Sequence, residues 1–391
     1  MASLSLGTND SLGDHMKKYL YGTTALAALG LAAGSVQAAE PLHYELGGYY
    51  NQIFGYVDSD GARTADTDEA VVYQNAEVYF KMNGELDNGL KIGGRIELEG
   101  QNQGDQIDQA YLVLAGGFGS LRIGAINSGR YSYGWNTDAP NVGVPINSGW
   151  TSNFVVGAGA GGVGVGGAFR SPANSTVLDA SNDDQKLTYF TPRFEGFQLT
   201  VSWSPLASSS GGENTGLVTE STTYTNAWDL GLSYSGGWND VGVEVTAGVA
   251  GANAPSTVEA AGFDDYLAFN GGVGVGVGGI SVAASFANVA EGHAQAGNLQ
   301  SSEGASFNIG ASYSTGPFGF SMTYFNGQEE GIVANAGDVE NEYFAVAASY
   351  TLGPGLRTHI TFLSIDREDD TAGSAGDTDG VAVAIGINAG F

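Results

Sequence analysis

From residue 42 onward, the chain repeats segments of about ten residues in which apolar and polar residues alternate. In the segment 90–101, apolar residues and glycine belong to one face, while Arg95 and Glu97 belong to the other. The segment 197–204 alternates in the same way. This period of two predicts β-strands with one face toward lipid or core and the other toward water.

Continued along the chain, the alternation predicts sixteen strands joined by connections that are short and long in strict turn. The short ones are rich in turn residues, and most long ones are acidic or rich in Gly, Ser and Asn. This sorting is typical of an outer-membrane barrel with tight periplasmic turns and long extracellular loops. The predicted strands are 42–57, 70–83, 89–101, 106–115, 119–126, 184–193, 196–205, 226–235, 240–250, 265–277, 279–290, 303–314, 317–326, 340–351, 355–365 and 379–391.

A closed barrel also satisfies the demands of a bilayer. Every backbone N–H and C=O group in hydrocarbon must be paired within the protein, so a sheet can span only without a free edge. The chain has no run of 18 apolar residues, which argues against a spanning helix. A soluble all-β sandwich or solenoid is the alternative, but it gives no reason for the sorted loops. The predicted fold class is all-β: a transmembrane antiparallel β-barrel of 16 strands, wide enough for an aqueous channel.

The N-terminal region has the pattern of a secretory signal. Met16-Lys17-Lys18 precedes an apolar stretch over 23–36, and Val36-Gln37-Ala38 places small residues before a cleavage point. We therefore treat 1–15 as an upstream extension, 16–38 as a signal peptide and 39–391 as the barrel.

Composition narrows the class further. Gly occurs 63 times in 391 residues without a G-X-Y period, and 11% of residues are aromatic, so neither collagen nor disorder fits. There is no cysteine, so backbone pairing and packing must stabilise the fold. The formal net charge of −29 makes nucleic acid an implausible partner and favours a preference for cations. Aromatic residues near strand ends, such as Tyr49-Tyr50, Phe194, Tyr189-Phe190, Phe318 and Tyr343-Phe344, predict interfacial girdles.

Four segments, together with the Lys-Lys signal and the terminal Phe391, resemble the general diffusion porins of Gram-negative bacteria. Two segments resemble the paired strands before that family's third loop, and two resemble the hairpin after it. The segments are 107–112, 117–124, 187–193 and 196–199. The resemblance covers essentially all of 39–391.

This resemblance implies a homotrimer in the bacterial outer membrane, in contact with outer-membrane lipids and lipopolysaccharide. It also implies a third loop that folds into the lumen and sets acidic residues across from basic wall residues. The candidate loop is the connection 127–183, much the longest in the chain.

Strand parity and the implied loop together give a set of pore-lining or constriction residues. Opposed charges across a narrow wet gap create a transverse field that orients dipolar solutes. The alternative is that these are ordinary solvated charges away from the narrowest point. Asp138 is the candidate on the acidic loop side. The wall candidates are Arg95, Glu97, Glu77, Arg122, Lys91 and Lys81.

Acidic clusters offer the hard oxygen ligands that suit calcium, although none matches an EF-hand loop. For the net charge of −29, the alternative to a preference for cations is that the acidic outer loops mimic the lipopolysaccharide surface or bind divalent cations. No cofactor other than calcium is expected. The candidate ligands are Asp66, Asp68, Glu69, Asp183 and Asp184.

The sequence thus predicts a passive channel for ions, cations above all, and small hydrophilic solutes. Inward positions are mostly small and polar, which favours a general pore over a sugar-specific one. The first alternative is a structural or adhesive barrel whose lumen the long loop occludes. The second is an outer-membrane hydrolase built on His359, but no nucleophile signature accompanies it, so no enzymatic activity is expected.

Overall fold

The structure is a computed structural model. It describes residues 42–61, 67–100, 106–147, 169–207, 224–260, 262, 264–292, 303–330, 337–370 and 377–391. The predicted extension at 1–15 and signal peptide at 16–38 lie outside the described residues.

Sixteen strands form within the described ranges, and each overlaps one of the predicted strands. Among the described residues, two short helices, α1 (Gly129–Gly134) and α2 (Ser256–Glu259), and a 3-10 turn (Trp135–Thr137) lie between strands. None of the helices in the described part of the chain is long and apolar enough to cross a membrane. The strands are β1 His43–Gly61, β2 Thr67–Glu85, β3 Lys91–Glu99, β4 Ile107–Gly116, β5 Gly119–Ala125, β6 Gln185–Phe190, β7 Phe197–Ala207, β8 Tyr224–Trp238, β9 Val241–Asn253, β10 Tyr266–Val277, β11 Ile280–Glu291, β12 Gly304–Thr315, β13 Phe318–Glu330, β14 Asp338–Gly353, β15 Leu356–Asp369 and β16 Thr378–Gly390.

The sheet is a closed barrel in which every strand pairs with its sequence neighbours, and β1 pairs with β16. All pairings are antiparallel; in the closing seam, Tyr49 lies opposite Gly390 and Gly61 lies opposite Thr378. The C-terminal residue completes the seam, because Phe391 N donates to Gly48 O at 3.1 Å and Gly48 N donates to Phe391 O at 3.0 Å. Closure leaves no free edge, as a sheet in hydrocarbon requires.

Outward and inward residues differ sharply in exposure, as β16 illustrates. Ile385 points outward and is 54% exposed, whereas its neighbour Ala384 points inward and is 1% exposed. The same alternation of exposed apolar and buried small residues recurs on β7 and β11. The outward faces therefore form an apolar belt for lipid, and the predicted fold class is confirmed.

Short turns and exposed aromatic residues mark one end of the barrel. The turn between β10 and β11 places Gly278 and Gly279 at positive φ (58° and 88°), the conformation that a two-residue hairpin requires. At this end Trp238 is 78% exposed and Phe194 is 75% exposed, as an interfacial girdle needs. Other predicted girdle residues were assigned wrongly, because Tyr49, Phe190 and Tyr343 occupy inward strand positions.

Candidate functional site in the barrel lumen

The long connection between β5 and β6, residues 126–184 and hereafter L3, enters the lumen. It is described over 126–147 and 169–184, and none of these residues is exposed. The first part opens with α1, whose N-cap Ser128 accepts a hydrogen bond from Tyr131 N at 3.2 Å. A serine in this position satisfies a free helix N–H group and fixes the direction in which the loop turns inward.

Arg130 is the main polar anchor of this first part. Its side chain is 1% exposed and donates to Asn270 Oδ1 of β10 and to Leu178 O of L3, each at 3.0 Å. Its backbone N donates to Asp229 Oδ1 of β8 at 3.1 Å. These bonds pair both terminal nitrogens of the buried guanidinium and the backbone N–H, and together they fix α1 against the wall.

Beyond Arg130, L3 follows the inner surface of the barrel around its circumference. The outgoing part pairs Thr137 Oγ1 with Thr246 Oγ1 of β9 (2.7 Å), Val142 N with Ser321 Oγ of β13 (3.1 Å) and Val144 N with Thr361 Oγ1 of β15 (3.0 Å). The returning part pairs Ala173 O with Asn341 Nδ2 of β14 (2.9 Å), Ser175 O with Ser306 Oγ of β12 (3.0 Å) and Thr176 Oγ1 with Ser285 Oγ of β11 (2.6 Å).

Apolar contacts reinforce this lining at two places. Phe169 and Leu178 of L3 pack with inward alanines and tyrosines of β8 to β11. Val144 and Ile146 pack with inward residues of β1 and of β13 to β16. The hydrophobic core of the molecule therefore lies between L3 and the wall, inside the barrel.

Glycines on the wall and on the loop make this close approach feasible. A Cβ on Gly143 of L3 would overlap Thr361 Oγ1 and lie 2.6 Å from Ala347 Cβ. A Cβ on Gly248 of β9 would lie 2.6 Å from Arg130 Cδ. We call the inward residues of β7 to β16 that contact L3 the loop-covered wall. The small residues of this wall allow L3 to pack closely against it. From the alternation alone, the same residues were expected to line a water-filled lumen.

The opposite part of the barrel, on β2 to β4, carries charge. Arg95 Nε lies 2.6 Å from Glu97 Oε1, and the Arg95 guanidinium carbon lies 3.7 Å from the centre of the Tyr79 ring. Lys81 lies directly across the strand pair from Arg95. These charges share one inward face because strand residues two apart point the same way.

Three carboxyl groups on this face come close together. Ligand oxygens of Glu77, Glu97 and Asp108 all lie within 4.8 Å of one another. Tyr49 OH donates to Glu77 Oε1 at 2.7 Å and orients that carboxylate. We call Glu77, Lys81, Arg95, Glu97 and Asp108 the charged wall.

The sequence pattern did not identify Asp108. Tyr111 lies opposite Arg95 and points inward, so strict alternation would turn Asp108 outward. Between Ile96 and Leu98 the register shifts by one extra residue on β4. This β-bulge places Asp108 beside Glu97, and a period of two carries no signal for it.

Aromatic residues also line this side of the lumen. The rings of Tyr49 and Tyr79 lie 6.1 Å apart, and Tyr73 and Tyr111 occupy inward positions on β2 and β4. The expectation that inward residues are mostly small and polar is therefore wrong for β1 to β4. It describes the loop-covered wall only.

The remaining predicted constriction residues do not all gather at the charged wall. Arg122 points inward on β5, with its guanidinium carbon 4.4 Å from the centre of the Phe190 ring. Lys91 is the first residue of β3, at the short-turn end, and its Nζ lies 3.9 Å from Glu85 Oε2. Lys91 therefore lies at the end of the barrel, away from the cluster formed by Glu77, Glu97 and Asp108.

Asp138 was expected to face the wall charges from L3, but it serves as an anchor. Its Oδ1 accepts hydrogen bonds from Asn147 Nδ2 of L3 at 2.8 Å and from Asn308 Nδ2 of β12 at 2.5 Å. Burial raises the pKa of Asp138 to about 6, although both amides favour the ionised form. The side chain thus belongs to the contact between L3 and the loop-covered wall.

The candidate calcium ligands divide between two places. Asp66, and the side chains of Asp68 and Glu69, lie outside the described residues. Asp183 and Asp184 are buried at the end of L3, next to β6.

His359 points inward on β15, with Nδ1 3.2 Å from Thr361 Oγ1.

A closed barrel of sixteen strands, with an apolar exterior and a charged inner wall, defines the class of outer-membrane β-barrel channels. A family model described as Gram-negative porin matches residues 23–371. The chain belongs to the Gram-negative porin family, and it resides in the outer membrane.

Solved structures with the same fold come from several bacteria. The chain aligns with Salmonella typhi OmpF in complex with daunomycin at a TM-score of 0.60 and 14% identity, covering 89% of this chain and 97% of that one. An anion-selective porin from Comamonas acidovorans aligns at a TM-score of 0.59 and 14% identity, covering 90% of this chain and 100% of that one. The trimer form of OmpT from Vibrio cholerae aligns at a TM-score of 0.57 and 11% identity, covering 91% of this chain and 100% of that one. Comparison with curated proteins gives no match.

Proposed function

We propose that this porin forms a passive, water-filled channel for ions and small hydrophilic solutes, and that the channel prefers cations. Solutes move along the charged wall, because L3 covers the inward faces of β7 to β16. No reaction is catalysed in this account, and transport follows the concentration gradient.

One observation carries the cation preference: three carboxyl groups, Glu77, Glu97 and Asp108, cluster on the charged wall beside Arg95. A passage lined by excess negative charge concentrates counter-ions and lowers the barrier for cations. The anion-selective porin from Comamonas acidovorans shares the fold, so ion preference must come from such side chains and not from the barrel itself.

The test is single-channel recording in a planar bilayer with a KCl gradient across it. We expect stepwise openings and a reversal potential of the sign given by potassium permeability exceeding chloride permeability. The double variant Glu77→Gln with Glu97→Gln should move the reversal potential toward zero. The matched control is Asp58→Asn, an exposed carboxyl on the outward face of β1. A chloride-selective channel, or equal shifts in both variants, would contradict the cation preference.

A second function is supported by the depth of L3 inside the barrel. Every described residue of L3 is at least partly buried, and its hydrogen bonds to the wall run from β7 to β15. If L3 closes the lumen, the protein is a structural or adhesive barrel. Clean insertion into the bilayer without conductance would make this second function the correct one.

We also propose a homotrimer, supported by the trimer form of the structurally similar Vibrio cholerae OmpT. Three identical pores that insert together should open in steps of three equal conductances. Crosslinking of the detergent-solubilised protein should give a ladder that ends at three chains. A ladder that ends at one or two chains would contradict the trimer.

Lipopolysaccharide is the proposed lipid partner, together with divalent cations. Like charges face each other across neighbouring strands at the extracellular end, as Asp366 lies opposite both Asp379 and Glu342. Directly opposed like charges are destabilising unless counter-ions offset them. Chelation of divalent cations should therefore reduce the lipopolysaccharide that purifies with the barrel, and an unchanged amount would contradict this partner.

A further inference from the structure

The charge of the lumen does not follow from the net charge of −29, because acidic and basic residues occupy different surfaces. At the long-loop end, carboxylates take outward positions: Asp366 lies opposite both Asp379 and Glu342, and its neighbour Ile365 points inward. In the described ranges, by contrast, no lysine or arginine takes an outward strand position. These residues lie on inward strand faces, in L3 or in the turn before β7, and they are Lys81, Lys91, Arg95, Arg122, Arg130, Arg170, Lys186, Arg193, Arg357 and Arg367.

Several of these basic side chains lie on the short-turn side of L3. Arg122 is the fourth residue of β5 and Arg357 is the second residue of β15, and both are partly exposed. L3 meets β15 at Thr361, four residues farther from the turn than Arg357. In the turn between β6 and β7, Arg193 donates from Nη1 to Gly196 O at 2.6 Å and from Nη2 to Gln198 Oε1 at 3.1 Å. The lumen below L3 is therefore lined by guanidinium groups.

Carboxylates do not cancel this positive charge. We compared the charged inward side chains in the five positions nearest the short-turn end of each strand. Lys186 is left out, because it is buried and donates to backbone oxygens of L3. With Arg193 added, six positive side chains face three negative ones, an excess of three. The negative ones are Glu45, Glu85 and Glu244, and the positive ones are Lys81, Lys91, Arg95, Arg122, Arg193 and Arg357.

One positive and one negative member of this set form a pair at the end of the barrel, Lys91 with Glu85. We call the other five positive residues the basic zone. Three further carboxyls at this end are exposed in the turns, outside the lumen: Asp87, Glu195 and Asp240. The basic zone consists of Lys81, Arg95, Arg122, Arg193 and Arg357.

The carboxyl cluster of the charged wall lies farther from the short turns. Glu77 is four residues along β2 from Lys81, which is about 13 Å at a rise of about 3.3 Å per residue. Glu99 lies opposite Glu77, so it adds negative charge at the same level. The distance over which salt screens a charge is about 10 Å at 0.1 M and about 3 Å at 1 M. At 0.1 M, an ion therefore meets an acidic and a basic segment in succession.

We propose that the basic zone accumulates small anions, so that a cation-attracting and an anion-attracting segment lie in series and the channel conducts asymmetrically. The two segments meet where Arg95 contacts Glu97. This proposal rests on the proposed channel, because the lumen must conduct.

The direction of the asymmetry follows from the order of the two segments. With the long-loop side positive, potassium enters through the carboxyl cluster and chloride enters through the basic zone, so both accumulate where the segments meet. With the potential reversed, both ions are drawn away from that place and fewer carriers remain. Conductance should therefore be higher when the long-loop side is positive.

The experiment is single-channel recording of the full barrel in symmetric KCl, at equal positive and negative voltages. In 0.1 M KCl the ratio of the two conductances should be about 1.5, and in 1 M KCl it should fall toward 1 because the fixed charges are screened. Orientation is established with Asp87→Cys, in an exposed turn. A thiol-reactive polymer too large to cross the pore should reduce its current only from the short-turn side.

The double variant Arg122→Gln with Arg357→Gln assigns the asymmetry to the basic zone. Its conductance ratio in 0.1 M KCl should fall toward 1, and its ratio of potassium to chloride permeability should rise. The control is Asp240→Asn, which removes an exposed charge at the same end but outside the lumen and should change neither ratio. Folding is checked by the shift in gel mobility between heated and unheated samples. If the double variant does not fold, Lys81→Gln replaces it.

The channel and the basic zone can fail separately. A cation-selective channel with equal conductance at both polarities in 0.1 M KCl would overturn the basic zone and leave the channel intact. Asymmetry of the opposite direction, or asymmetry that persists in the folded variants, would also overturn it. A barrel that inserts without any conductance would contradict the channel itself and the role of the basic zone with it.

Discussion

The charged wall and the loop-covered wall belong to one sheet and share the same alternation of residues, yet they present different surfaces to the lumen. On β2 to β4 the inward residues are charged or aromatic, as Arg95 and Tyr79 show. On β7 to β16 many inward residues are small, with some large ones such as Tyr266 among them, and L3 packs against this wall through Arg130, Val144 and Leu178. The alternation shows which face of a strand is inward, but it does not show what that face contacts.

This difference assigns separate tasks to the two regions. The loop-covered wall holds L3 in position through buried hydrogen bonds and close backbone contacts, which are stability functions. In the proposed channel, the charged wall is the surface that ions and solutes meet. Substitutions in the first region should therefore alter loop position and stability, whereas substitutions in the second should alter selectivity.

The largest effect is expected for Arg130→Ala. The change removes two side-chain hydrogen bonds and leaves Asn270 Oδ1 and Leu178 O in need of donors inside the barrel. We expect L3 docking to lose about 3 kcal/mol, seen as greater current noise and faster limited proteolysis within L3. Arg130→Lys is the matched control and should be intermediate, because lysine lacks the planar fork. If Arg130→Ala showed the same current noise and rate of proteolysis as the wild type, Arg130 would not be the anchor of L3.

A somewhat smaller effect is expected for Gly143→Val. The new side chain would overlap Thr361 Oγ1 and crowd Ala347 Cβ, so the tip of L3 must move away from the loop-covered wall. Overpacking of this kind costs about 2 kcal/mol. Thermal unfolding of the purified barrel measures it. Gly353→Ala is the control, since no atom lies within 4 Å of a Cβ there, and the two variants should not unfold at the same temperature.

In the charged wall, Arg95→Gln should change selectivity more than stability. The variant removes the positive charge that contacts Glu97, so the passage becomes more negative. We expect the ratio of potassium to chloride permeability to rise about threefold, measured from the reversal potential in a KCl gradient. A fall in that ratio would show that Arg95 does not face the ion path.

The smallest effect is expected for Lys91→Gln. Lys91 and Glu85 are half exposed and 3.9 Å apart at the short-turn end, so the pair contributes less than about 0.5 kcal/mol. Unfolding temperature and reversal potential should both stay at wild-type values. A clear change in reversal potential would show that charges at the periplasmic, short-turn end also affect ion selectivity.

The strands could be predicted because each residue contributes to a local period that requires no knowledge of partners. The strict alternation of short and long connections likewise predicted an outer-membrane barrel, which must be closed. Contacts made by L3 could not be predicted, because Arg130 meets Asn270 across 140 positions of sequence. Asp138 was assigned to the wrong surface for the same reason: its partner Asn308 is 170 positions away.

The charged wall was partly accessible to sequence reasoning. Parity placed Arg95, Glu97 and Lys81 on one inward face, and the strand register joins them as expected. Asp108 was missed because a single inserted residue on β4 reverses the parity beyond it. A β-bulge depends on pairing between strands, so alternation within one strand cannot reveal it.

We expect ions to pass along the charged wall, because L3 covers the wall from β7 to β16. The native chain has no cysteine, so single cysteine variants can be labelled without background. Lys81→Cys and Glu77→Cys test the charged wall, and Ser202→Cys and Thr361→Cys test the loop-covered wall. A water-soluble thiol reagent, added during single-channel recording, should reduce current in the first pair and leave the second pair unaffected. Rapid modification and current block in Ser202→Cys or Thr361→Cys would contradict the account.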